Sequence, residues 1–146
     1  MPKFKFIKEG INEQLVKKTR GKVEKFLNSM LDKGELITLD DIYSFKFGTV
    51  MVNVRVVPYH KDDVLVEVFS YLAEKVKYNA DLAEKLLRMN ATLHFGAFGL
   101  TYDNSFVFTY SLAGANIDSN EFTSAVQTDA TVADSHDEMV KEMTAK

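Results

Sequence analysis

The chain has 146 residues, 46% hydrophobic and 27% charged, with a net charge of −3 and no cysteine. That length suits one domain, residues 1–146, with a full core, and the composition is that of a soluble globular protein. The lack of cysteine excludes disulfides and thiolate zinc sites and fits a reducing compartment, and the negative charge speaks against a general nucleic-acid binder.

The opening stretch, Met1 to Lys8, is basic, but no apolar run follows it. Neither a signal peptide nor a membrane span is expected, and residues 1–8 read as a loosely ordered tail. From Ile11 to Leu31 apolar residues recur every three or four positions (Ile11, Leu15, Val23, Phe26, Leu27, Met30), the mark of an amphipathic helix that Gly34 would stop. Leu36 to Asp41 reads as a linker, with Asp40-Asp41 as a turn. The period then changes to two. Tyr43, Phe45 and Phe47 form one strand, the turn at Gly48 and Thr49 follows, and Val50, Val52, Val54 and Val56 line one face of the next, with Met51, Asn53 and Arg55 on the other. Pro58 should close that strand.

After the loop Tyr59 to Asp63, the run Val64 to Leu72 is apolar on both faces: Val64, Val66 and Val68 on one, Leu65, Phe69 and Tyr71 on the other. This predicts a central strand, or one whose second face meets a partner. Asn79 caps a short helix that ends near Asn90, with Leu82, Ala83, Leu86 and Leu87 as its stripe. A hairpin follows, in which Phe98, Leu100 and Tyr102 alternate against Phe106, Phe108 and Tyr110; a three-residue loop, Asp103 to Ser105, would pair Tyr102 with Phe106 and Leu100 with Phe108. Asp118 and Glu121 open a last long helix as a capping box. The order is α-β-β-β-α-β-β-α, an α+β domain with a mainly antiparallel sheet packed by helices. Charge is uneven along it: residues 1–33 hold nine Lys or Arg against four Asp or Glu, residues 114–146 two against seven. Two solvated helix faces of opposite sign explain this most simply.

The block Phe95-Gly96-Ala97-Phe98-Gly99-Leu100, then an acidic turn, an aromatic strand, Ser111-Leu112 and Ile117-Asp118, resembles the YbjN family, whose members share the type III secretion chaperone fold. Phe45-Lys46-Phe47-Gly48-Thr49 followed by Val50 to Val56 is similar to its cyanobacterial-type members. The resemblance implies a cytoplasmic, homodimeric domain that holds extended peptide segments. Within it, Phe95, Gly96, Phe98, Gly99 and Leu100 are a structural signature without a catalytic role.

Groups that could do chemistry are sparse. His60, His94 and His136 fall on three different elements, and within Asp134-Ser135-His136-Asp137-Glu138 the residues Asp134, His136 and Asp137 do not share one helical face, so a solvated acidic surface is expected and no metal. Gly96 and Gly99 lack the basic neighbours of a phosphate-gripping loop and read as places where backbone bends or approaches closely. Neither an enzyme nor a cofactor is expected. With eleven phenylalanines, six tyrosines and six methionines, the candidate binding surface is a second sheet face of Phe45, Phe47, Phe69 and Tyr71 bordered by Arg55, for a peptide client or for the second copy in a homodimer. The alternative is a sensory module with a small ligand between the sheet and the helix of residues 79–90.

Overall fold

The computed structural model describes residues 1–145. Helix α1 (Glu13–Met30) is followed by β1 (Ile37–Leu39), β2 (Ile42–Phe47), β3 (Val50–His60) and β4 (Asp63–Ala73), then α2 (Ala80–Asn90), β5 (Ala97–Leu100), β6 (Phe106–Ala113) and α3 (Ser119–Thr144). The strands make one six-stranded antiparallel sheet in the order β1-β2-β3-β4-β6-β5.

Alternation in β3 and β4 decides the layering. Val52, Val54, Val64, Val66 and Val68 are fully buried on one face, and α1 and α3 lie on that face through Val23, Leu27, Phe122, Ala125 and Val126. A second apolar cluster continues it, in which Leu82 and Leu86 of α2 meet Phe98, Phe106 and Phe108 of the last hairpin. All three helices therefore cover one side of the sheet and leave the other uncovered. Each helix begins on a side-chain cap: Asn12 accepts from the Leu15 amide, Asn79 from that of Leu82, and Asp118 with Glu121 forms a reciprocal capping box.

Several boundaries differ from the sequence-based expectation. Helix α1 stops at Met30, ahead of Gly34, because Leu31 is extended (φ −119°) and packs on the core, while Gly34 (φ +90°) serves the turn that follows. The expected linker contains β1, made possible by Asp40 and Asp41, both at positive φ in the tight turn back into β2. Pro58 does not end β3. It pairs with Val64 beside a bulge, beyond the end of β2, where β3 has become an edge and no neighbour needs the missing amide. The hairpin register is also two residues away from the expected one: Leu100 pairs with Phe106 and Phe98 with Phe108. A five-residue turn causes the shift. The Thr101 amide donates to the Ser105 carbonyl (2.9 Å), the Ser105 amide donates to the Thr101 hydroxyl (3.0 Å), that hydroxyl donates to Asp103, and Asn104 takes φ 62°. An even shift preserves the faces, so Phe98, Phe106 and Phe108 share one buried face, while Tyr102 falls in the turn and is exposed.

Strand β5 lies at one edge of the sheet, and its outward backbone is not left bare. The Asn90 side chain accepts from the Phe98 amide (2.8 Å) and donates to its carbonyl (3.0 Å), as a paired strand would. Asn90→Ala should cost about 1–2 kcal/mol by leaving both groups unpaired. Hydrogen exchange should show the Phe98 amide losing protection; an unchanged rate would mean that Asn90 is incidental.

Candidate functional site

The uncovered face is built by the odd-numbered residues of β3 and β4 and their partners across the ladder. Register fixes four rows along it: Val57 beside Leu65, Arg55 beside Glu67, Asn53 beside Phe69, and then Met51 and Tyr71. At its far end a groove of about 490 Å³ runs between Ile42, Met51, Asn53, Arg55, Phe69 and Tyr71 and is lined as well by Thr49, Glu74 and, from α3, Lys141. That volume is within the range of functional clefts.

The groove floor is aromatic and its lid is charged. The Phe69 ring is only 8% exposed although it lies on the open side, because the Arg55 guanidinium sits 4.8 Å from its centroid and Tyr71 meets it edge-on at 6.0 Å. Arg55 is in turn held by Glu67 at 3.1 Å. Both members of that pair are substantially exposed, so it contributes no more than ~1 kcal/mol and can open to admit an apolar side chain. Asn53 is fixed: its amide donates to the Phe69 carbonyl (3.2 Å) and its oxygen accepts from the Ser44 hydroxyl (2.7 Å). Tyr71 is 40% exposed and forms the accessible wall.

Of the five residues expected at this surface, Arg55, Phe69 and Tyr71 come together and Phe45 and Phe47 do not. The two-residue turn at Gly48-Thr49 pairs Phe47 with Val50 and Phe45 with Val52. The odd residues of β2 thereby fall on the same side as the even residues of β3, so Phe45 is buried in the core beneath α1 and α3, and Phe47 is exposed at the margin of that same side. Their places are taken by Ile42 and Met51, and farther out by Ile37 and Leu39, which are 54% and 70% exposed on β1. Counting parity across the turn would have found this from the sequence.

The signature residues divide similarly. Phe98 packs edge-on against Phe108 (5.1 Å), and Phe95 stacks on Tyr110 (5.7 Å) from an exposed position. Gly96 has φ 77° and the Phe108 ring at its back, whereas Gly99 has an ordinary backbone and an added methyl group there would make only ordinary contact with Val107. Leu100 is exposed beside α2, where a shallow space of about 180 Å³ is lined by Ala83, Leu86, Leu87, Asn90, Phe98 and Phe106. It is small for a ligand site, and its one amide side chain, Asn90, is already spent on Phe98.

The ionisable groups serve architecture. Asp134 and Asp137, expected on a solvated surface, instead grip the β2–β3 turn. The Thr49 amide donates to Asp134 (2.9 Å), and the Thr49 hydroxyl lies 3.0 Å from Asp134 and 2.7 Å from Asp137, which also accepts from Lys141 (3.0 Å). Burial pushes the Asp137 carboxyl up, but the bonds from Thr49 and Lys141 outweigh it and leave the group below the usual carboxylate range. His136 shares its Nδ1 with the Val132 carbonyl (2.7 Å) and lies against Phe98, while His60 accepts from the Asp62 amide (3.1 Å). Among the described residues no three His, Asp or Glu side chains converge as a metal site.

An aromatic floor, a movable charged lid and an exposed β1 edge can hold an extended chain by apolar contact and backbone pairing. Residues 10–144 match the family model described as T3SS (YopN, CesT) and YbjN peptide-binding chaperone 1. No curated protein matches the chain.

Proposed function

Since the chain belongs to this family of peptide-binding chaperones, we propose that it holds an extended polypeptide segment against the uncovered face of its sheet, and that it does so as a homodimer without making or breaking a covalent bond. The observation that supports this most directly is the placement of all three helices on one side, which leaves Met51, Arg55, Phe69 and Tyr71 on the wall of a groove of mixed polar and apolar lining that is open to solvent. Side chains of the client enter the groove by displacing the Arg55 lid, and Phe69 and Tyr71 supply the buried aromatic area on which such recognition depends. The open form of the groove, and the small apolar space beside α2, favour a chain over a compact metabolite as the ligand.

Tyr71→Asp tests the site. The ring is outside the core and 40% exposed, so the variant should keep its thermal midpoint and its solution mass by light scattering. Affinity for a client peptide captured from the native host should fall about 30-fold, the ~2 kcal/mol of a buried aromatic anchor. A folded Tyr71→Asp protein that binds as before would remove this face from the account, and a monomeric mass for the native chain would remove the dimer.

A further inference from the structure

The segment ahead of α1 carries five exposed apolar side chains that no part of the fold claims. Residues 1–12 form no helix or strand, and Phe4, Phe6 and Ile7 are 71%, 77% and 62% exposed. Lys3, Lys5 and Lys8 interleave with them. In extended backbone residues 3–6 put Phe4 and Phe6 on one side and Lys3 and Lys5 on the other, the pattern of a strand with one apolar face, which Ile7 and Lys8 then reverse. Such a face left in water is costly unless something covers it.

Where the segment is tied down identifies its cover. The Lys61 amide donates to the Lys8 carbonyl (3.1 Å), the Asn12 side chain donates to the Lys61 carbonyl (3.3 Å), and Gly10 packs on the Lys61 side chain. Lys61 is the tip of the β3–β4 hairpin, the two strands that carry the uncovered face. The chain thus runs from α1, on the helix side of the sheet, to the hairpin tip at the sheet's end. From Lys8 an extended chain reaches about 13 Å by Phe4 and about 24 Å by Met1. Along β3 the row of Val57 and Leu65 lies about 13 Å from Lys61 and the row of Arg55 and Glu67 about 20 Å. Val57 and Leu65 are half-buried, apolar and uncovered. The Lys3 ammonium, on its own long stem, comes within reach of the Glu67 carboxylate that now holds Arg55.

We infer that residues 3–7 are a built-in ligand of the uncovered face in a docked state distinct from the one described, in which Phe4 and Phe6 are exposed: Phe4 packs over Val57 and Leu65 with Phe6 between that row and the hairpin tip, and the segment lies in line with the groove so that a client must displace it. The inference rests on the reading of that face as the peptide site, and it extends that reading to the client's chemistry, an extended chain with aromatic side chains at alternate positions and lysines between them.

The test uses a fluorescently labelled peptide of residues 1–9, the full chain, and a chain lacking residues 1–7, which keeps the Lys8–Lys61 bond. A tether this short supplies roughly millimolar effective concentration, so for a peptide of ~0.1 mM affinity the full chain should bind about tenfold more weakly than the shortened one. Phe4→Ser with Phe6→Ser in the full chain should restore the tighter binding, and Val57→Asp in the shortened chain should abolish it. Equal affinities for the two chains overturn the inference. So does loss of binding to vesicles rich in anionic lipid on shortening with no change in peptide affinity, which would assign the segment to a membrane surface, and so does a fall in solution mass on shortening, which would assign it to a second copy. A client peptide of unrelated sequence separates the two levels: if it binds both chains equally the site stands without the built-in ligand, and if no peptide binds either chain both readings fail.

Discussion

Asp129→Asn should make the protein about 3 kcal/mol more stable at pH 8 and leave it nearly unchanged at pH 4. Asp129 lies on α3, fully buried, where the two apolar clusters meet; its one partner is the Ser70 hydroxyl at 2.6 Å, and its Oδ1 has none among the described residues. Burial raises its pKa from 3.8 to about 7, and the Ser70 bond offsets only part of that. Unfolded, the group loses its proton near 3.8; folded, it keeps it until about 7. Between those values the folded state binds more protons, so stability is full below pH 4, falls as pH rises, and levels off above 7. The whole shift is worth about 4 kcal/mol. Asparagine cannot ionise and should flatten that decline. Asp137 acts with the opposite sign and in another window, contributing above its unfolded pKa and losing its contribution in strong acid. Denaturant unfolding at pH 4, 6 and 8 measures both curves. Parallel curves for native and variant would show that Asp129 is charged in the fold after all.

Gly96→Ala should lower the melting temperature by roughly 10 °C, while Gly99→Ala should barely move it. At Gly96 the backbone has φ 77°, and an added Cβ would lie 2.5 Å from Cζ of Phe108 and 2.9 Å from the Thr109 carbonyl oxygen. A left-handed backbone costs an alanine about 1 kcal/mol, and the clash with a fully buried ring and a strand carbonyl adds about 2 more. In a chain of this size that sum corresponds to the stated shift. At Gly99 the nearest atom would be Cγ2 of Val107 at 3.5 Å, ordinary contact. Calorimetry on the two variants decides it; equal effects would mean that the segment before β5 can relax around a side chain.

The alternations of Val50 to Val56 and Val64 to Val68 were legible because a strand's period is local and a buried face tolerates few exceptions. The caps at Asn79 and Asp118 were legible for the same reason: a cap is written within three residues of the helix it begins. What could not be read locally was relative facing. Phe45 and Phe47 have the pattern of a strand, but which side they take depends on the number of residues in the turn at Gly48-Thr49, and one residue there exchanges the faces. The hairpin register depends likewise on the Thr101–Ser105 turn, whose hydrogen bonds make five residues act as the loop. Strand β1 is three residues long, too short for periodicity to register. The candidate face was therefore partly legible: Met51, Arg55, Phe69 and Tyr71 follow from the alternation within β3 and β4, while Ile42 joins them only through cross-strand pairing.

A sheet's capacity to recruit further strands can be counted as a valence. Asn90 saturates the middle of β5, so a strand arriving there must first break two hydrogen bonds that the chain makes with itself. β1 has no such guard and bears exposed Ile37 and Leu39. Of the two strands that end the sheet only β1 is unguarded, so growth through the sheet's ends stops at a pair: two molecules joined β1 to β1 would present only β5 at either end, and a client strand seated on β1 would leave that end closed to another copy. A member of a peptide-binding chaperone family with its sheet ends arranged in this way would not propagate fibres through them.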